Sequence, residues 1–141
     1  MNKTITEIAA ILHAEGCSCV ICNNGNITLC HKRGVADLLW FVQNDSSILS
    51  GAIIADKVIG KGAAALMILG GVKSIYADVI SEPALELLST VPVEVHFGER
   101  VPNIINRAGT GICPVETLCK DCNSAQECLP LIENFVNSFV K

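Results

Sequence analysis

Eight cysteines in two groups of four are the residues of this 141-residue chain most suited to chemistry. The later group reads Cys113-x5-Cys119-x2-Cys122-x5-Cys128. Four thiolates from one flexible segment can wrap a zinc ion or an iron–sulfur cluster, because both want soft sulfur ligands. Pro114, Lys120, Asp121 and Asn123 give the segment a loop-like composition, and Cys119 and Cys122 fall on one side of a turn. The spacing is neither a zinc-finger nor a ferredoxin run. Free thiols packed as small hydrophobes and a redox-dependent disulfide stay open beside the metal. The earlier group is Cys17, Cys19, Cys22 and Cys30, followed by His31. Cys19-x-x-Cys22 has redox or metal spacing, but on a strand its members point to opposite faces, and redox pairs sit at helix N-termini. We read these four as core thiols in a hairpin.

Asp56 and Lys61 flank the start of an Ala-rich helical run, with Gly60 and Gly62 on either side of the lysine. A helix N-terminus presents unpaired N–H groups and a positive dipole, so it favours anions. The glycines let backbone approach a ligand closely. A structural ion pair on a glycine-bearing turn explains the same residues. Arg107-x-Gly109-Thr110-Gly111 can form a loop of exposed amides and a guanidinium suited to phosphate or carboxylate, or a plain surface loop. Neither Gly-x-Gly completes a dinucleotide or phosphate-loop fingerprint. Cys113, beside Pro114 and near Glu116, is a candidate reactive thiol. His13, His31 and His96 are scattered. His96 shares a strand face with Glu94 and is read as a surface histidine.

These residues must be positioned by elements that punctuation marks well. Residues 5–14 carry apolar side chains at helical spacing, with Thr4 as N-cap and Gly16 as stop. Residues 18–22 and 27–31 are β-rich, joined by Asn23-Asn24-Gly25-Asn26, a hairpin signal. A short helix is expected over 35–42, a loop over 44–47 and a strand over 50–54. A helix over 61–69 ends at Gly70-Gly71, and a strand over 74–80 follows. Ser81 then caps a helix with Pro83 in its first turn, before a strand over 93–97. Residues 101–107 read as short helix or irregular chain, and 108–112 as a Gly-rich loop. Ser124-x-x-Glu127 is a capping box for a last helix to about residue 140, although Pro130 fits a start near Leu129 better. Strands alternating with helices predict one α/β domain over residues 1–141, with a Cys-rich segment at 113–128. The expected architecture is a three-layer α/β/α sandwich on a mixed sheet.

Composition excludes some classes of function. Half the residues are apolar and 17% charged, which describes a packed core rather than a disordered chain. With a net charge of −4 and only Lys32-Arg33 as a basic pair, no footprint exists for a nucleic-acid backbone. The charge-free stretch over 62–72 is too short for a bilayer, and the apolar run over 8–12, bracketed by Glu7 and Glu15, is no signal peptide. The expectation is a cytoplasmic protein with reduced thiols, with neither membrane nor nucleic acid as partner. A small-molecule ligand and a homo-oligomer are left open.

Residues 56–88 set a helix, a strand and a second helix in close succession. Zinc-dependent nucleoside deaminases place their metal on that skeleton, with H-x-E opening the first helix and P-C-x-x-C the second. Here the first opens Gly60-Lys61-Gly62-Ala63 and the second Glu82-Pro83-Ala84-Leu85-Glu86-Leu87. The Glu-Pro pair remains, while Ala84 and Leu87 stand where the two cysteines would be. The chain thus resembles the cytidine-deaminase-like superfamily, and more closely the domain of unknown function 1893 family of small prokaryotic proteins. The matching blocks are Asp56-Lys57-Val58-Ile59-Gly60-Lys61-Gly62-Ala63-Ala64-Ala65, Gly70-Gly71-Val72-Lys73, Ser81-Glu82 and Asn106-Arg107-x-Gly109-Thr110-Gly111-x-Cys113-Pro114-x-Glu116. The extra C-terminal cysteines depart from that pattern. The resemblance implies an α/β/α sandwich without deaminase zinc ligands, with Asp56, Lys61, Ser81 and Glu82 converging on one pocket. The expected function is non-catalytic binding of a nucleotide or nucleobase-like molecule at the two helix starts. The alternatives are a redox or metal-binding protein using the C-terminal cysteines, and a non-zinc enzyme using Lys61, Asp56 or Glu82.

Overall fold

A computed structural model describes residues 4–31, 35–105 and 109–138. Helix α1 (Ile5–Glu15) starts where Thr4 accepts the Glu7 N–H while the Glu7 carboxylate takes the Thr4 N–H. Strands β1 (Cys19–Asn23) and β2 (Asn26–Cys30) form the expected hairpin. Asn24 and Gly25 both take positive φ (52° and 82°), the condition for a two-residue turn that matches strand twist. Helix α2 (Ala36–Asn44) and a 3-10 turn (Ser46–Ile48) lead to β3 (Ile53–Ile59). Then come α3 (Lys61–Gly70), β4 (Ser74–Ser81), α4 (Glu82–Leu88), β5 (Glu94–Val101), α5 (Pro114–Cys119) and α6 (Ala125–Asn137).

The five strands lie in the order β2-β1-β3-β4-β5. β1 pairs antiparallel with β2 and β3, while β3, β4 and β5 run parallel. Helix α1 covers one face, packing Ile8 and Leu12 on Val20, Cys22 and Ala55. The other helices cover the opposite face around α3, whose Ala63, Ala64, Ala65, Leu66 and Met67 are all buried. Short alanines let α3 lie close to the sheet and to α4 and α6 at once. The architecture is the expected three-layer sandwich on a mixed sheet.

Several elements differ from expectation: β5 runs four residues past the expected strand end at Phe97, to Val101, and a 3-10 turn over Ser46–Ile48 stands at the expected loop. β3 begins at Ile53, because Gly51 takes a left-handed φ of 75° and its N–H bonds Gly71 O at 2.8 Å. The strand therefore contains Asp56 instead of ending before it. The loop-like cysteine segment holds helix α5, with Pro114 at its first position, where a missing N–H costs nothing. Ser124 caps α6 by accepting the Glu127 N–H at 3.3 Å, and Pro130 lies inside the helix on an exposed side. The carbonyl whose i+4 donor it removes is that of exposed Gln126, which water can reach.

Candidate functional site

A cleft of about 670 Å³ lies over the hairpin half of the sheet, on the face that carries α3. Its floor is a row across three strands. Cys30 stands opposite Cys19, and Cys19 opposite Asp56. Val35, Asp37 and Leu38 at the start of α2 form one wall; Gly60, Gly62 and Ala63 at the start of α3 form another. Ile104 and Ile105 beyond β5, with Cys113, Val115 and Glu116 of the α5 region, close the third side.

Asp56 is the ionisable group at the base. Burial pushes its carboxyl from the ordinary 3.8 up to about 7; the N–H groups of Val58 and Lys57 oppose this, and the Asp78 carboxylate adds to it. Its Oδ1 accepts the Val58 N–H at 3.2 Å. Such a carboxyl is present in both protonation states at neutral pH, so it can accept or donate a hydrogen bond. Beside it, the Cys19 thiol donates to Cys30. That bond, with burial, holds Cys19 well above a free thiol, and it draws Cys30 below one.

Glu116 organises the rim. It is 4% exposed, and both carboxylate oxygens are used. Oε1 accepts the Lys61 N–H at 2.7 Å and Oε2 the Ile104 N–H at 2.8 Å. The anion site at the start of α3 is thus filled by the protein's own carboxylate, brought from 55 residues away. Gly62 permits the approach, because a Cβ there would overlap Val115 Cγ1 on α5.

Of the residues expected to share a pocket, Asp56, Gly60 and Gly62 line this cleft. Lys61 does not reach it. Its ammonium, almost fully buried, donates to Cys122 O at 2.6 Å and Lys120 O at 3.2 Å, pinning the turn after α5. Ser81 sits next to Gly60 in the sheet, since Ile59 is in register with Ile80, but its hydroxyl is spent capping α4 at the Ala84 N–H, 3.2 Å away. Glu82 is exposed, 3.8 Å from Arg100. Arg107 lies outside the described residues. The expected convergence of Asp56, Lys61, Ser81 and Glu82 therefore gives way to a different set, Asp56 with Glu116, Cys19, Cys30 and Asp37. Glu116 had one legible trace, its place after Cys113-Pro114 at a helix start; nothing local ties it to Lys61.

The C-terminal thiols divide. Cys122 donates to Cys128 and Cys128 to Cys119, in a chain beside the Lys61 ammonium. The bond from Cys128, helped by Lys61, lowers Cys119, whereas burial raises Cys122 to about 11. Cys128 is raised, chiefly by its bond to Cys119. Cys113 instead lines the cleft. Among the described residues no group of three or more His, Cys, Asp or Glu is arranged to hold a metal ion. Cys19 and Cys22 belong to the cores on opposite faces of the sheet, as alternation requires. His96 bonds Glu94 at 2.7 Å on the surface, and His13 bonds Asp78 at 2.6 Å. No helix among the described residues is long and apolar enough to cross a membrane.

The crystal structure of a DUF1893 family protein from Thermotoga maritima has the same fold, with a TM-score of 0.84 at 22% sequence identity over 92% of this chain and 88% of that one. No curated protein matches the sequence. The family model described as Domain of unknown function (DUF1893) matches residues 7–136, and the chain therefore belongs to that family.

Proposed function

We propose that the cleft binds a small nucleobase-like ligand without transforming it, on a deaminase-like scaffold that has lost its metal. One observation carries this reading: a pocket of about 670 Å³ holds Asp56 at its base while its helix N-terminus is already filled by Glu116. The volume suits a nucleobase or nucleoside. Val35, Leu38, Ile104 and Val115 offer apolar surface to a planar ring, and Asp56 offers a carboxyl to its donor edge. Asp37 and Asp56 disfavour a phosphate, as does the occupied end of α3. A base or nucleoside therefore fits better than a nucleotide. Deaminase zinc does not fit: Ala84 and Leu87, at the positions of two ligands, have no donor atom and pack in the core.

A carboxyl near 7 also suits acid–base catalysis. This favours a second reading, an enzyme in which Asp56 moves a proton without help from Lys61 or Glu82. Calorimetric titration with bases, nucleosides and nucleotides, using wild type and Asp56→Asn, tests both. Binding of a base or nucleoside weakened about tenfold by Asp56→Asn supports the cleft, since a charge-assisted bond is worth roughly 1.5–3 kcal/mol. Failure to bind any of them, or affinity unchanged in the variant, refutes it. Conversion of the bound molecule during incubation selects the enzyme.

A further inference from the structure

Strand β5 is the sheet's outer edge on the parallel side, and six of its eight residues are exposed. Among the described residues no segment pairs with its outer side. Edges of this kind are normally kept short, interrupted by proline or bulges, covered or charged, because unpaired N–H and C=O groups recruit another strand. β5 has no proline and, among the described residues, no cover, and Phe97 is 42% exposed on it. It does carry charges, Glu94, Glu99 and Arg100, but Glu94 and Arg100 are spaced symmetrically about Phe97, while Glu99 falls opposite Val95.

We propose that β5 pairs antiparallel with β5 of a second copy about a two-fold axis through Phe97, joining two five-stranded sheets into one. Antiparallel pairing about that axis sets Phe97 against Phe97 of the second copy. Glu94 then faces Arg100 of the second copy, and Arg100 faces Glu94 of the second copy. His96 lies against Gly98 of the second copy, which has no side chain to obstruct the imidazole. Opposite charges and aromatic pairs directly across strands stabilise pairing, and like charges oppose it. Other registers lose this match. An axis through Gly98 sets His96 against Arg100; an axis through His96 sets Glu94 against Gly98. The two-fold arrangement closes, so it yields a dimer rather than a fibre. It lies at the far edge of the sheet from the hairpin, so it stands or falls independently of the cleft.

The test is sedimentation velocity with light scattering on the full chain. The expected mass is twice the 15.0 kDa of the chain. Phe97→Lys places two ammonium groups on the axis and should give the 15.0 kDa species. Glu94→Arg should raise the dissociation constant about tenfold or more, and adding Arg100→Glu should restore it to within about threefold. Far-UV dichroism identical to wild type would show that the exposed substitutions leave the fold intact. A monomer at every concentration overturns the proposal. So does a dimer indifferent to Phe97→Lys, or a double reversal as weak as Glu94→Arg alone.

Discussion

Replacing Asp56 by Asn should remove a pH dependence that the folded protein carries. The Asp56 carboxyl titrates near 7 in the fold, against 3.8 when freely hydrated. As pH rises from about 4 to 7, the unfolded chain gives up this proton and the folded chain keeps it. The unfolded state is therefore favoured progressively, and the loss levels off above pH 7, once both states are ionised. The full separation corresponds to about 4 kcal/mol, of which about 2–3 kcal/mol falls between pH 5 and pH 8. Asn keeps an oxygen for the Val58 N–H but has no proton to lose. Urea denaturation at the two pH values, for both proteins, isolates this group from every other titration. Wild type should lose about 2–3 kcal/mol more than Asp56→Asn over that interval, moving its midpoint down by about 1–2 M relative to the variant. Parallel pH profiles, or a wild type that gains stability on the variant as pH rises, would refute the claim that burial governs this carboxyl.

Glu116→Ala strands the Lys61 and Ile104 N–H groups and should cost about 2–4 kcal/mol in denaturant unfolding, with Glu116→Gln roughly half as damaging because one acceptor remains. Gly62→Ala gains about 1 kcal/mol of helix propensity but drives a methyl into Val115, an overpacking cost of about 1–3 kcal/mol. The second effect should win and lower the melting temperature by about 3–6 °C; a higher melting temperature would show that α5 yields freely. Cys122 is only partly buried yet raised to about 11, so at pH 8 about one part in a thousand is thiolate. Peptide mapping after brief iodoacetamide treatment should find it largely unmodified, and labelling at the rate of a free cysteine would contradict the thiol chain to Cys128.

Local rules settled the elements of this protein. Thr4, Ser81 and Ser124 each cap the helix that follows, Asn24-Gly25 makes the hairpin turn, and alternation puts Cys19 and Cys22 on opposite faces. Each of these is decided within a few residues, so periodicity and turn chemistry suffice to read it. The start of β3 escaped that reading because Gly51 is held by Gly71, twenty positions on. The site escaped for the same reason on a larger scale. Asp56, Gly60 and Gly62 could be picked out as chemistry near a helix start, but what faces them could not. A helix N-terminus in sequence is an open anion site; in the folded chain Glu116 fills it, Lys61 turns to the α5 turn, and Ser81 is spent on its own helix. Which partner satisfies a buried N–H or charge depends on the elements that packing brings alongside, and only the tertiary structure decides that.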